Sequence, residues 1–460
     1  MAGKNNPRSG ELSRSISRIG IGVNRAAQDL NPIHPQSSFQ ASLLIAAIGV
    51  GFLATFYARL IAWAQALFSF LFQRYPWEVS LSGPLFFLAA TWLVVRFAPE
   101  AKGSGIPQVL QAIDKTGIEK AAGLSSGLVS IRTAVLKVLS SALGILGGAS
   151  IGREGPTVQV ASSFFAMTAR FSRRYFGSLD PQSYLIAGAS AGISAAFNTP
   201  LAGITFALEE IAEHSFAQFK RTVMLAVIVG GITARGIGGN YLYFGHPSIS
   251  DPSWHILPTA ILLGILGGLT GGFFAKVLTR PLPNLLPSHW WGKALVCGAV
   301  CSVFGLLTHG DTAGSGYEVT RNFMESEHGT LAPLLFLEKL ICTIFSYLSG
   351  MAGGIFSPCL SIGAGLGFTT GELLHNHSLK ACALVGMVAF FSGAVQAPLT
   401  AVIIIMEMTD QSTLLIPFMV AALLAQGIGR LVMPTPLYRY LARHGNSKPD
   451  SAPEDPPEDE

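Results

Sequence analysis

Residues 143–156 read L-G-I-L-G-G-A-S-I-G-R-E-G-P, and this stretch decides the fold. An apolar run enters it, glycines interrupt it, the charged pair Arg153-Glu154 follows, and Pro156 starts a second apolar run. Proline suits the first turn of a helix, where its missing N–H costs nothing. A helix broken in this way is tolerated at membrane depth only inside protein or against a watery cavity. Glycines leave backbone amides open to a ligand, and a helix N-terminus adds about half a positive charge. The stretch therefore predicts a membrane-embedded anion site with a carboxylate placed in it.

A second break, L-S-G-M-A-G-G-I-F-S-P at 348–358, repeats the first. Lys137 precedes Pro156 by 19 residues, and Lys339 precedes Pro358 by the same interval. Further along, A-A-F-N-T-P-L-A-G-I-T-F-A-L-E-E at 195–210 resembles G-A-V-Q-A-P-L-T-A-V-I-I-I-M-E-M-T-D at 393–410. Pro200, Leu201 and Glu209 match Pro398, Leu399 and Glu407, each shifted by 198, and G-S-G at 103–105 has a counterpart at 314–316. Matched breaks in two halves are the sequence signature of a transporter's binding site.

The surrounding composition agrees. Half of the 460 residues are hydrophobic and 12% are charged, where a soluble domain carries about 25%. The reading is an all-α polytopic membrane protein. It has a basic segment 1–38, a first membrane repeat 39–220, a connection 221–255, a second repeat 256–443 with a pore-lining C-terminal helix, and an acidic disordered tail 444–460. Residues 1–38 hold five basic side chains and no secretory apolar stretch, so no signal peptide is expected. Arg430, Arg439 and Arg443 flank the last apolar run. Both ends are thereby expected in the cytoplasm, with an even number of crossings. The net charge of +4 reports this flanking bias and suggests no nucleic-acid partner. The five cysteines lack ligand spacing, so no metal site or disulfide framework follows.

G-S-G-I-P at 103–107, G-R-E-G-P at 152–156 and G-G-I-F-S-P at 353–358, in that order, resemble the three anion-binding signatures of the CLC family of chloride channels and chloride/proton antiporters. The resemblance covers residues 39 to 443. It implies a homodimer in the lipid bilayer, each subunit with its own pore built from two inverted repeats of tilted and broken helices. It also implies anion ligands: the Ser104 hydroxyl, the backbone amides of Ile355 and Phe356, and the Tyr438 hydroxyl. Serine at 104 matches the chloride pattern, whereas family members preferring nitrate carry proline there. The chain stops short of the paired CBS domains of many eukaryotic members, so regulation through them is not expected.

Glu154 is the first functional residue. A carboxylate among amides arranged for an anion occupies the site itself; once protonated it leaves room for chloride. The plainer alternative is a structural carboxylate paired with Arg153. Glu210 matches the family's internal proton-transfer glutamate, while Glu209, aligned with Glu407, suits a structural role. Lys137, Arg153 and Lys339 are candidate fixed charges along the anion path. For the two lysines the alternative is pairing with a nearby carboxylate such as Glu338. The expected function is chloride/proton exchange in a bacterial inner membrane, with chloride and protons as partners, no cofactor and no enzymatic activity. A passive chloride channel, a fluoride-selective relative and an intramembrane enzyme are the competing readings, the last lacking any GxGD or HExxH spacing.

Overall fold

The computed structural model describes residues 35–444 except 119–126, 177–179, 212–215, 240–241, 248, 250–252, 281–285, 326–333 and 377. The basic segment before residue 35 and the acidic tail after 444 lie outside the described residues.

The first half comprises α1 (Pro35–Arg74), α2 (Pro76–Phe97), α3 (Ile106–Ile118), α4 (Ile131–Leu146), α5 (Glu154–Phe176), α6 (Pro181–Phe197), α7 (Pro200–Phe206) and α8 (Phe216–Gly238). The second comprises α9 (Ser253–Thr279), α10 (Trp290–Leu307), α11 (Tyr317–Glu325), α12 (Leu335–Leu348), α13 (Phe356–Leu373), α14 (Leu379–Val395), α15 (Pro398–Thr409) and α16 (Leu415–Val432). A final helix, α17 (Leu437–His444), follows both. The expected repeat boundary after residue 220 falls inside α8, which matches α16 in order.

Among the described residues, six helical stretches are long and apolar enough to cross a membrane. Their outer faces carry exposed Phe52, Phe56, Trp63, Trp77, Leu81 and Leu431, the surface expected against hydrocarbon rather than water. Helices α6, α13 and α14 are apolar on every side and buried nearly throughout, so protein surrounds them. That explains why α13 begins at a break: its N-terminus never meets lipid.

Local chemistry sets the matched boundaries. Asp180 caps α6 by accepting from the Ser183 amide, and Ser378 caps α14 by accepting from the Ala381 amide. Both helices end on a left-handed residue, Asn198 (φ 60°) and Gln396 (φ 67°), two positions before the proline that opens the next helix. That conformation is unfavourable for most side chains and tolerated best by short polar ones.

The halves are joined by reciprocal hydrogen bonds. Gly152 N donates to Gly354 O at 2.7 Å and Gly354 N returns to Gly152 O at 2.8 Å, an antiparallel bridge between repeat-equivalent residues. Gly103 N donates to Met351 O at 2.9 Å, and its counterpart Gly314 N donates to Ala149 O at 2.8 Å. The two G-S-G turns also share backbone geometry: Gly103 and Gly314 have φ near 64–65°, and Gly105 and Gly316 also lie at positive φ. Glu407 accepts from the Leu201 and Ala202 amides at 3.1 and 2.8 Å, while Glu209 accepts from those of Leu399 and Thr400 at 2.9 and 2.7 Å. Each carboxylate thus caps the N-terminus of the other half's helix, which requires α7 and α15 to run antiparallel. Contacts that map onto themselves when the halves are exchanged define a pseudo-two-fold axis perpendicular to these helices, the relation of inverted repeats.

Candidate anion site and proton relay

The three glycine-rich breaks meet at the centre. Gly353 N donates to Gly103 O at 3.0 Å, tying G-S-G-I-P to G-G-I-F-S-P, and the Gly152–Gly354 bridge ties G-R-E-G-P to the same strand-like segment. Gly155 lies directly on Ser104: a Cβ built there would stand 2.2 Å from the Ser104 hydroxyl.

Helix α13 starts at this junction. Its N-cap, Ile355, has no side-chain cap bond, and Ile355 and Phe356 are both inaccessible to solvent. A buried helix start without a capping side chain asks for another acceptor. Around it stand buried hydroxyls that meet no hydrogen-bond geometry among the described residues: Ser104 and Ser357, and Tyr438 at the start of α17. Tyr438 is brought there because α17 packs against α3, the helix that follows Ser104, and its hydroxyl is adjacent to that of Ser104. Orphaned buried donors around an uncapped helix start fit a small anion, since each lost hydrogen bond would otherwise cost about 1–3 kcal/mol. Ser357 was not singled out in the sequence, although its place beside Pro358 in the first turn of α13 was a usable signal.

Glu154 opens α5 and is fully buried. Its Oε2 has no partner and sits over Gly152, near Ser357 and Pro358. Its Oε1 lies 3.9 Å from Arg153 Nε and 3.4 Å from the Tyr243 hydroxyl, which donates to it. Arg153 and Tyr243 both line an open cavity of about 720 Å³, bordered also by Arg59, Gln65, Asp311 and Tyr317. The carboxylate therefore stands between this vestibule and the amide-rich junction. On the vestibule rim, burial pushes the Asp311 carboxyl up from its ordinary range, against the pull of Lys339 and His309.

Glu210 lies elsewhere, in a single π-helical turn at Ala207–Ile211. Such turns recur at functional sites. From this turn Glu209 caps the α15 N-terminus, and Glu210 is buried. The matching residues of the second half continue as ordinary α-helix, and buried Met408 stands where Glu210 does. Glu210 comes near Tyr438 through α17: Arg439 Nη2 donates to the Glu210 carbonyl at 3.5 Å, and Tyr438 lies within electrostatic reach of Glu210.

Among the described residues neither lysine pairs with a carboxylate, the alternative weighed from the sequence. Lys137 Nζ donates to Gln159 Oε1 at 2.6 Å, and Gln159 in turn donates to Glu100 O and Leu128 O. Lys339 Nζ donates to the carbonyls of Thr312, Ala313 and Gly314 at 2.7, 3.2 and 2.9 Å. The reason is burial: both side chains are almost inaccessible, and partial negative charges of amide oxygens replace water without introducing a second ion to desolvate. Lys339 thereby clamps the second G-S-G turn, whereas the first is left to Gly353 and to Ser104's open hydroxyl. Gln159 was missed in the sequence, although a glutamine inside an apolar run was the signal. Tyr243 was missed too, and nothing in the connection around it announced a role. All five cysteines are free thiols.

Residues 85–430 match the family model described as voltage gated chloride channel. The chain is 31% identical over 440 residues to an H(+)/Cl(-) exchange transporter ClcA of Yersinia pseudotuberculosis serotype IB (strain PB1/+), covering 89% of this chain and 88% of that protein. A Vibrio campbellii (strain ATCC BAA-1116) protein of the same name is 32% identical over 381 residues, covering 79% and 78%. Among solved structures, a slow cyanobacterial Cl-/H+ antiporter superposes with a TM-score of 0.77 at 23% identity, covering 91% of this chain and all of that one. A CLC-type fluoride/proton antiporter gives 0.70 at 21%, covering 88% and 98%. With three glycine-rich breaks knotted at the axis of two inverted halves, and with relatives matching along most of its length, this chain belongs to the CLC family.

Proposed function

We propose that the protein is a secondary active transporter that exchanges chloride for protons, with Glu154 and Glu210 as its two proton-carrying groups. The observation that carries this reading is the convergence of the orphaned Ser104 and Tyr438 hydroxyls on the α13 helix start, where Glu154 also lies. Chloride accepts from the two hydroxyls and from the Ile355 and Phe356 amides. Ionised Glu154 is a tethered competitor for the outer end of that site. Protonation removes its charge, it leaves the amides, and chloride takes its place; deprotonation drives it back. Glu210, behind Tyr438 and off the anion path, gives the proton a separate route, so that the two ions do not share one leak. Arg153 and Lys137 supply positive charge near the two ends of the path, and Lys339 does so from under the vestibule rim. The names of the relatives, H(+)/Cl(-) exchange transporters, support this assignment. The protein acts as a homodimer in a bacterial inner membrane, as the family membership and the bacterial relatives suggest; the basic residues flanking the first and last apolar runs support cytoplasmic termini.

The test is flux through liposomes carrying purified protein. Wild type should move protons uphill on a chloride gradient, and its reversal potential should shift with a pH gradient. Glu154→Ala and Glu210→Ala should each abolish proton movement while chloride still passes. A reversal potential indifferent to pH would make the protein a passive channel, and intact proton pumping by Glu154→Ala would remove the mechanism.

A further inference from the structure

Tyr243 lies in the connection between the halves, a segment that the exchange cycle does not use. Its hydroxyl is nonetheless buried against Glu154 and donates to Oε1 at 3.4 Å. The ring is fixed on three sides. It meets Phe197 edge-on at 5.7 Å, Phe244 at 5.0 Å and Tyr317 at 5.1 Å, and Tyr317 stacks on Phe244 with the planes 18° apart. Phe197 in turn touches Phe356, the residue at the α13 helix start, with centroids 5.0 Å apart. The backbone is held as well: Phe244 N donates to Met408 O at 3.2 Å, and Gln411 Nε2 donates to Pro247 O at 2.8 Å. A hydroxyl carried on so constrained a ring has little rotational freedom left to lose when it bonds the carboxylate.

We infer that Tyr243 is a positioning residue, a latch that retains the Glu154 carboxylate at the amide-rich junction and so sets how strongly it competes with chloride. This rests on the competition reading given above. Arg153 approaches the same oxygen only to 3.9 Å, beyond hydrogen-bond range, whereas the Tyr243 hydroxyl donates to it. Oε2, which has no partner, is left facing the first turn of α13. Weakening the latch weakens the competitor, and apparent chloride affinity rises.

The experiment is calorimetric titration of chloride into detergent-solubilised protein at neutral pH, for wild type, Tyr243→Phe, Glu154→Ala and the double variant. Tyr243→Phe keeps the ring and its packing and removes only the hydroxyl. Affinity should rise about three- to tenfold in the single variant, the range for one long hydrogen bond. In the Glu154→Ala background the same substitution should change nothing, because there is no carboxylate to retain. An unchanged or reduced affinity in Tyr243→Phe would overturn the latch. So would an equal rise with and without Glu154, which marks a general loosening of the aromatic cluster. Chloride binding by the double variant serves as the check on folding. If Glu154→Ala alone failed to strengthen chloride binding, the competition reading itself would fall, and the two failures are thereby told apart.

Discussion

Glu209 and Glu210 are adjacent in sequence and should fail in opposite ways. Glu209 accepts two amides at the start of α15, and its counterpart Glu407 accepts two at the start of α7. A hydrogen bond to a charged group contributes about 1.5–3 kcal/mol, and a carboxylate at a helix N-terminus adds about 0.3–1 kcal/mol. Both side chains are partly solvated, so losing either should cost about 2–4 kcal/mol rather than the full sum. Glu209→Ala and Glu407→Ala should therefore lower the melting temperature in detergent by similar amounts. The double variant should lose less than the two losses added, since both caps hold the same antiparallel helix pair. Glutamine at either place keeps one acceptor oxygen and should recover about half. Glu210→Gln should melt like wild type yet carry no protons. The assay is thermal unfolding followed by tryptophan fluorescence, paired with proton flux in liposomes. Strong destabilisation by one cap variant with silence from the other would refute the reciprocal capping argument. So would a Glu210→Gln protein as unstable as Glu209→Ala.

Lys339→Met should be poorly folded, losing about 3–5 kcal/mol as three buried carbonyls lose their donor at once; yield and melting temperature measure it. Ser104→Ala should weaken chloride binding severalfold without altering the melting temperature, because that hydroxyl has no protein partner to lose. Gly155→Ala should also weaken chloride binding, since a methyl 2.2 Å from the Ser104 hydroxyl must displace it. Gly239→Ala, with open space around its Cβ but φ at 93°, should cost stability and leave binding untouched; titration of chloride into each variant separates the two cases.

Much of the architecture was legible because the informative positions interrupt patterns. Glycine and proline inside apolar runs marked the breaks at 152–156 and 353–358, and their matched spacing exposed the duplication before any contact was known. The same interruptions named Glu154, a charge where none is tolerated without purpose. What stayed hidden depends on partners distant in sequence. The Lys137–Gln159 and Lys339–carbonyl bonds stand where pairing with a carboxylate was the alternative reading, because desolvating a second ion is costlier than turning amide oxygens inward. The π-helical turn at 207–211 follows from no local propensity; A-L-E-E-I would serve equally in a regular helix, and Glu407 makes the equivalent cap from one. Tyr243 is the extreme case: its meaning comes from Glu154, 89 residues earlier in the chain.

The crossed glutamate caps reach beyond stability. A half released from the chain would keep its own carboxylate with no helix to serve and its own short helix with bare amides. A second identical half, threaded through the bilayer in the opposite sense, would satisfy both at once. Carrying both halves on one chain therefore makes the mutual capping independent of protein concentration, which two separate copies would need in order to meet.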